Sequence, residues 1–173
     1  MKPFLKIDNY IIKFINSRIH RPILDRIMRS ITGLGDLGAM WIVIAVFLFI
    51  RPHTRRQGEI VIFSLVLCSI LGEGIIKRIF QRQRPFQGIA TLETIIKRPM
   101  TYSFPSGHTA SSFAAAGVLG VLFPSVKIVA YILASLIGIS RVYLNVHYST
   151  DVFAGALLGF VCSKISLYVF TFI

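Results

Sequence analysis

The stretch TASSFAAAGVLGVLFPSVKIVAYILASLIGI, from Thr109 to Ile139, consists of two apolar runs that are interrupted only at Pro124 and Ser125. A helix needs about 20 mostly apolar residues to cross a hydrocarbon core of about 30 Å. Each run is slightly shorter than that, and the proline–serine pair is typical of a turn. The stretch therefore predicts two short membrane helices that form a tight antiparallel hairpin.

Three further apolar runs approach the same length, at approximately Leu34–Ile50, Glu59–Ile76 and Val152–Phe172. The last contains GALLG, Gly155–Gly159, whose GxxxG spacing permits close helix packing. Of the 173 residues, 54% are hydrophobic and only 15% are charged, which is too apolar for an ordinary soluble domain. We expect an all-α polytopic bundle of about five transmembrane helices, within one integral membrane domain over residues 1–173.

Residues 1–32 differ from the transmembrane bundle that we expect over residues 33–173. Apolar side chains recur at helical spacing between Phe4 and Ile15, whereas polar side chains occupy the opposite face. This pattern predicts an interfacial amphipathic helix, followed by a second short helix that begins near Pro22. Packing of these helices on the protein's own surface, instead of in the lipid headgroups, is an equally open interpretation.

The charge of the chain is strongly basic, with 19 lysines and arginines, seven acidic residues and a formal net charge of +12. These basic residues fall between apolar runs and not on a soluble helix face, which argues against a nucleic-acid partner. Anionic lipid headgroups or phosphorylated substrates fit the pattern better. Cys68 and Cys162 each lie inside an apolar run, so we expect packed free thiols.

Three polar clusters emerge on one side of the membrane if the chain crosses it five times. The first is KRIFQRQRP, in which six residues separate Lys77 from Arg84 and Pro85. On its own, this cluster is more typical of basic anchors at the end of a membrane helix. Its significance therefore depends on the other two clusters.

The second cluster is SFPSGHTAS, at the start of the apolar hairpin. Ser106 can cap a helix, and Gly107 lets a ligand approach the backbone closely. The free amides of the first helical turn and the helix dipole then attract an anion. This arrangement predicts an anion cradle with a titratable group, His108, at its rim. A capped helix with an interfacial histidine is the alternative.

The third cluster is SRVYLNVHYSTD. If the chain is helical here, His147 and Asp151 share a face, so the carboxylate can hold one ring nitrogen. The other nitrogen then becomes more basic, as a nucleophile or general base requires. Arg141 can offer a planar fork to phosphate oxygens. Together the clusters bring two histidines, an aspartate and three cations to one membrane face.

The three clusters together resemble the signature of the type-2 phosphatidic acid phosphatase superfamily, and the matching residues run from Lys77 to Asp151. Many members have three spans before the first motif, whereas this sequence predicts two spans and interfacial helices. The resemblance implies a metal-independent phosphatase without a cofactor. His147 would take the phosphoryl group, Asp151 would orient His147, and His108 would protonate the leaving oxygen. The implied phosphate-binding residues are Lys77, Arg84, Ser106, Gly107 and Arg141.

The substrate class follows from the position of these residues at the membrane surface, where a headgroup can dock while its chains stay in the bilayer. We expect a lipid phosphate or diphosphate and favour undecaprenyl diphosphate. Phosphatidylglycerophosphate, phosphatidate and lipid A phosphates are alternatives, and the loop FQGIATLETIIKRPMTY between the first two motifs is expected to help select the headgroup. A vanadium haloperoxidase has similar motifs but is soluble, and an anion channel or transporter would not need His147 paired with Asp151.

The membrane side of the site is predicted differently by two arguments. Positive-inside counting favours the cytoplasmic face, because the N-terminal basic residues and the basic loop share the side of the motifs. Bacterial members of the resembled superfamily usually act on the outer face. We expect a multi-pass protein of the cell (inner) membrane whose site lies at the outer face.

Overall fold

The computed structural model describes residues 2–88, 92, 94, 96 and 98–172, with side chains for all of them except residues 2–4 and 37. The described residues form helices and connecting loops, with no strand among them. The α-helices are α1 (Lys2–Arg18), α2 (Pro22–Leu34), α3 (Ala39–Phe49), α4 (Arg55–Ser69), α5 (Lys77–Phe80), α6 (Pro85–Gly88), α7 (Gly107–Leu122), α8 (Lys127–Tyr143) and α9 (Ser149–Val169). The expected all-α bundle is confirmed.

Four helical runs of the described chain are long and apolar enough to cross a membrane. They are Pro22–Phe49, Pro52–Gly88, Pro124–Tyr143 and Ser149–Val169, and α7 is a shorter apolar helix. The first run begins twelve residues earlier than the predicted span at Leu34. The reason is that α2 continues through a 3₁₀ turn, Asp36–Gly38, into α3. The helix predicted near Pro22 is therefore part of this run, and α1 alone precedes it.

Helix α7 lies at the centre of the bundle, packed against α4, α8 and α9. The GxxxG pair on α9 faces it, because a Cβ atom at Gly155 would lie 2.6 Å from the Ser106 carbonyl oxygen. At Gly159 a Cβ atom would contact the Ala110 carbonyl oxygen and lie 2.7 Å from the Ala114 nitrogen. Only glycine allows this approach, so the close packing that the GxxxG spacing permits is present in the structure.

The predicted hairpin is also present, since a 3₁₀ turn at Pro124–Val126 joins α7 to α8. Cys68 and Cys162 are buried free thiols, as expected. They lie in one apolar cluster with Ala110 and Ala114, between α4, α7 and α9. Both thiols therefore fill space in the bundle interior.

One end of the bundle gathers the polar clusters. There α5, α6 and the loop that leads to α7 meet the end of α8 and the start of α9, and α1 lies across them. The fully buried Asp8 and Ile12 of α1 lie on the face that packs there. Ile7 and Phe14 point outwards and are exposed. Helix α1 thus packs on the protein with one face and leaves an apolar face free for the headgroup region.

Candidate active site

A cavity of about 1080 Å³ opens at this end of the bundle. Six of the eight predicted site residues line it: Lys77, Arg84, Gly107, His108, Arg141 and His147. The other two, Ser106 and Asp151, are fully buried beside it and joined by a hydrogen bond of 3.0 Å from the Ser106 amide to the Asp151 carbonyl. The structure therefore brings all eight residues together.

His147 is held between an arginine and a carboxylate. Its Nε2 lies 3.1 Å from Nη1 of Arg84, and its Nδ1 lies 3.7 Å from Oδ2 of Asp151. An arginine can only donate, so Nε2 accepts and carries no proton. The neutral ring then has its proton on Nδ1, facing the carboxylate. This tautomer presents the Nε2 lone pair to the cations of the site, as a nucleophile requires.

The imidazole of His147 stays neutral because of its surroundings. Burial lowers the pKa of His147 to about 3, since the charged ring is poorly solvated there. Asp151 raises the pKa, whereas the positive charges of Arg84 and Arg141 lower it further. The ring is therefore unprotonated across the physiological pH range.

The carboxylate of Asp151 is fixed by three hydrogen-bond partners besides the histidine. Oδ2 accepts hydrogen bonds from the Ser103 hydroxyl (2.5 Å) and the Tyr148 amide (2.9 Å), and Oδ1 accepts one from Arg82 (2.6 Å). Its phenolic neighbour Tyr148 completes a capping box at the start of α9.

The condition under which His147 and Asp151 would share a helix face is not met. Residues 144–148 leave the helical conformation between α8 and α9, and Asn145 has a left-handed φ of 61°. The histidine approaches the aspartate because the Asp151 side chain folds back over the backbone of the N-cap residue Tyr148. The capping geometry, and not a shared helix face, makes the pair.

Three buried cations line the cavity. Arg84 donates hydrogen bonds to the Thr101 carbonyl (2.7 Å) and the Val146 carbonyl (2.8 Å). These two bonds fix the position of its guanidinium group. Arg141 donates to Thr32, and its Nε is buried without a hydrogen-bond partner among the described residues. An unpartnered buried donor beside a cavity suits an incoming oxyanion.

The third cation, Lys77, forms an ion pair with Glu73 at 2.6 Å. Among the residues described, no cluster of three histidine, cysteine, aspartate or glutamate side chains could hold a metal ion. Lys77, Arg84 and Arg141 bring positive charge to the lining of the cavity. These charges suit the oxygens of a phosphoryl group.

Ser106 occupies the N-cap position of α7, as predicted, but its hydroxyl does not cap the helix. It accepts a hydrogen bond of 2.9 Å from the Thr109 hydroxyl instead. A Cβ atom at Gly107 would collide with Oε1 of Glu73, so the glycine leaves room for that carboxylate. The cradle is therefore bordered by an acid that belongs to the protein.

His108 lies at the rim of the cavity, with 22% of its side chain exposed. Its Nε2 is 2.8 Å from Oδ1 of Asp36, in the turn between α2 and α3. Donation from Nε2 to this carboxylate leaves Nδ1 as the nitrogen that exchanges a proton. The site thus holds two histidine–aspartate pairs, one buried and one at the rim.

The family model described as the PAP2 superfamily matches residues 57–173, which contain the three motifs and most of the bundle. The chain belongs to the PAP2 superfamily. Asp8 and Asp36 lie before the matched region. They are therefore features of the front end of this chain, outside the part that the family model covers.

Undecaprenyl-diphosphatase of Sulfolobus acidocaldarius is 36% identical over 123 residues, which are 69% of this chain and 58% of that protein. This chain therefore spans less than two thirds of that relative's length. The fold is similar to a crystal structure of a transmembrane PAP2-type phosphatidylglycerolphosphate phosphatase from Bacillus subtilis, with a TM-score of 0.81. The two sequences are 27% identical, and the match covers 100% of this chain and 89% of that one. The fold is also similar to the crystal structure of Aquifex aeolicus LpxE, with a TM-score of 0.78 and a sequence identity of 32%. This match covers 92% of this chain and 93% of that one.

Four charged residues around the site were not predicted. Arg82 lies inside the KRIFQRQRP cluster, and Glu73 precedes Lys77 by one helical turn. Their positions in the sequence therefore gave a weak indication that they lie near the site. Asp8 and Asp36 had none, because each reaches the site from an element distant in sequence. The loop that was expected to select the headgroup lies partly outside the described residues, at 89–91, 93, 95 and 97.

Proposed function

We propose that this chain is a metal-independent membrane phosphatase that removes the terminal phosphate of a lipid phosphate or diphosphate through a phosphohistidine at His147. The observation that carries the proposal is the neutral His147, which lines the cation-rich cavity and whose Nε2 carries a lone pair that accepts a hydrogen bond from Arg84. Membership of the PAP2 superfamily supports it, as do the names of similar proteins. Phosphoryl transfer needs mainly positioning and charge stabilisation, which these side chains offer.

The first half of the reaction forms a nitrogen–phosphorus bond. Nε2 of His147 attacks phosphorus, and the electron pair of the broken phosphorus–oxygen bond passes to the leaving oxygen. His108 gives that oxygen a proton, while Asp151 stabilises the proton on Nδ1 of His147. Lys77 and Arg141, with the other phosphate-binding residues, hold the non-bridging oxygens.

The second half reverses these roles. His108, now neutral, takes a proton from water as the water attacks phosphorus. The nitrogen–phosphorus bond breaks, and its electron pair returns to Nε2 of His147. Inorganic phosphate leaves, and both histidines regain their starting states. No metal ion or cofactor enters this sequence.

A long-chain lipid substrate is supported by the shape of the cavity. From the cations it extends along apolar side chains of α3 and α4, among them Ile42, Val46, Ile62, Leu65 and Val66. A headgroup at His147 would leave its chain against this apolar branch. We favour undecaprenyl diphosphate, because the similar archaeal protein is named for that activity.

Phosphate release from a panel of detergent-solubilised lipids, with a chelator present, tests the proposal. The panel holds undecaprenyl diphosphate, phosphatidylglycerophosphate, phosphatidate and a lipid A phosphate. We expect chelator-resistant release, greatest from the prenyl diphosphate, and none from His147→Asn. A labelled phosphohistidine in His147→Asn, or loss of wild-type release with chelator, would contradict the mechanism. Anion flux through proteoliposomes without hydrolysis would favour a channel or transporter.

The outer face of the cell membrane is the proposed position of the site, because the resemblance to bacterial members of the superfamily implies it. His53→Cys would place a thiol in the loop opposite the site, and Met100→Cys would place one beside the cavity; both positions are exposed. The native thiols are buried and give little background. In intact cells an impermeant maleimide should label Met100→Cys and not His53→Cys. The reverse result would put the site inside.

A further inference from the structure

A buried charge network connects helix α1 to the proposed catalytic aspartate. Arg82 donates from Nη1 to Asp151 at 2.6 Å and from Nη2 to Asp8 at 2.7 Å. Both carboxylates are fully buried, and only 11% of the arginine side chain is exposed. The Arg82 guanidinium also stacks 4.2 Å from the ring centre of Tyr148. Arg82 is thus clamped between two acids beside His147.

The Asp8 carboxylate is also fixed by several hydrogen bonds. Oδ1 accepts hydrogen bonds from the Ser149 hydroxyl (2.6 Å) and the Thr150 amide (3.1 Å), and Oδ2 accepts one from the Thr150 hydroxyl (2.5 Å). Burial raises the pKa of Asp8, but the hydrogen bonds outweigh it and hold the pKa below its ordinary value. Asp8 is therefore charged.

We propose that Asp8 is a positioning residue for the Asp151–His147 pair, acting through Arg82. With Asp8 present, two carboxylates share one guanidinium, so the cluster keeps one net negative charge next to Nδ1 of His147. Without it, the charge of Arg82 is balanced by Asp151 alone. Less negative charge then remains to stabilise the proton on Nδ1 as Nε2 attacks.

This inference rests on the proposed function, since it concerns the step that forms the phosphohistidine. It extends the site to a helix that the family model does not cover. The competing explanation is that Asp8 only docks α1 onto the start of α9. A docking role predicts that folding and ligand binding suffer together with turnover. A positioning role predicts that the chemical step alone slows.

The test compares Asp8→Asn with a matched control, Asp25→Asn. Asparagine keeps the shape of Asp8 and removes its charge. Asp25 is also an N-terminal acid with two hydrogen-bond partners, Tyr143 (2.5 Å) and His20 (3.1 Å), but it contacts none of the proposed catalytic residues. Farnesyl diphosphate serves as the substrate, and inorganic orthovanadate reports on oxyanion binding.

For Asp8→Asn we expect kcat and the single-turnover rate of phosphohistidine formation to fall about 10- to 100-fold, the range found when outer partners of metal-bound histidines are removed. The vanadate inhibition constant and the melting temperature should stay near wild type, and Asp25→Asn should retain wild-type kcat. Unchanged kcat in Asp8→Asn would overturn the inference. So would a parallel loss of kcat, vanadate binding and melting temperature. A wild-type protein that forms no phosphohistidine would instead refute the proposed function.

Discussion

Asp36 lies 2.8 Å from Nε2 of His108, the histidine that we propose as the acid and base of the reaction. Its carboxylate fixes the tautomer of the ring and supports its protonated form. If His108 protonates the leaving oxygen, Asp36 matters only when that oxygen is a poor leaving group. The importance of Asp36 should therefore depend on the substrate.

Asp36→Asn should lower kcat for a lipid alkyl phosphate by about tenfold and leave kcat for p-nitrophenyl phosphate nearly unchanged, because general acid catalysis by histidine supplies about 10²- to 10⁴-fold where protonation is needed. The measurement is the ratio of the two kcat values in variant and wild type. An equal fall for both substrates would indicate a loss of folded protein and not of proton transfer.

His147 makes stability depend on pH. The unfolded chain has an ordinary histidine pKa of about 6.5, whereas burial lowers the folded value to about 3. Between these values the unfolded state binds a proton that the folded state does not. The stabilising contribution of unprotonated His147 to the free energy of unfolding is therefore complete above about pH 6.5, and it is lost as the pH falls towards about 3.

On acidification from pH 7.5 to pH 5, wild-type protein should lose about 2 kcal/mol of folding free energy that His147→Asn does not lose. Melting temperatures in detergent at the two pH values measure the difference. Equal losses in both proteins would mean that His147 does not titrate on unfolding. The same low pKa predicts that an acid limb of activity near pH 6 arises from a group other than His147.

At the scale of elements, the contact between α7 and α9 depends on glycine. Gly159→Val should overpack it, since a Cβ atom would contact the Ala110 carbonyl and the Ala114 amide. We expect a destabilisation of about 1–3 kcal/mol. Gly33→Ala is the control, because no atom lies within 4 Å of its Cβ position. A melting temperature for Gly159→Val equal to that of the control would contradict the close contact.

The segment Ile70–Ile76 is π-helical, and its Glu73 contacts Lys77 and lies close to the backbone at Gly107. An extra residue in a helical turn often marks a functional site. The carboxylate lies where the cradle would hold an anion, so it opposes oxyanion binding electrostatically. Glu73 is therefore expected to weaken phosphate retention and to aid its release.

Glu73→Gln should lower the inhibition constant of orthovanadate by about three- to tenfold, because a negative charge is removed beside a cation-lined cavity. Glu59→Gln is the control, since Glu59 pairs with Arg55 on the exposed surface. Weaker vanadate binding in Glu73→Gln would show that the carboxylate serves instead to hold Lys77 in place.

Elements with a strong local pattern could be predicted from the sequence. The lengths of the apolar runs predicted the hairpin and the α9 span, and the spacing of GALLG predicted its close contact. The continuation of α2 into α3 could not be predicted, since Gly33, Gly35 and Gly38 are equally typical of a helix end. The π-helical turn has no sequence signature.

The site also has features that the sequence predicts and features that it does not. Its eight predicted residues are adjacent because motif spacing and the number of crossings bring them to one face. Asp8 and Arg82 are 74 positions apart, and their pairing depends on how α1 packs across the bundle. The spacing of His147 and Asp151 predicted the right partners by the wrong geometry, because a capping side chain mimics the four-residue repeat of a helix.

At the scale of the whole molecule, the bundle joins two environments in one cavity. The polar end lies among buried cations, and the apolar branch follows α3 and α4 into the depth of the membrane-spanning region. The proposed lipid substrate would then place its phosphate at His147 while its chain stays in the bilayer. Chain length should then affect catalysis through the branch and not through the phosphate site.

Val46→Trp tests this arrangement, because Val46 is one of the apolar residues of α3 that line the cavity. The larger side chain should lower kcat/KM for undecaprenyl diphosphate by about tenfold, by obstructing the chain while leaving the headgroup contacts intact. Turnover of a short water-soluble diphosphate ester should be unchanged. Val129→Trp is the control, since Val129 is 59% exposed on α8 and does not line the cavity. Equal effects on long and short substrates would show that the branch does not hold the lipid chain.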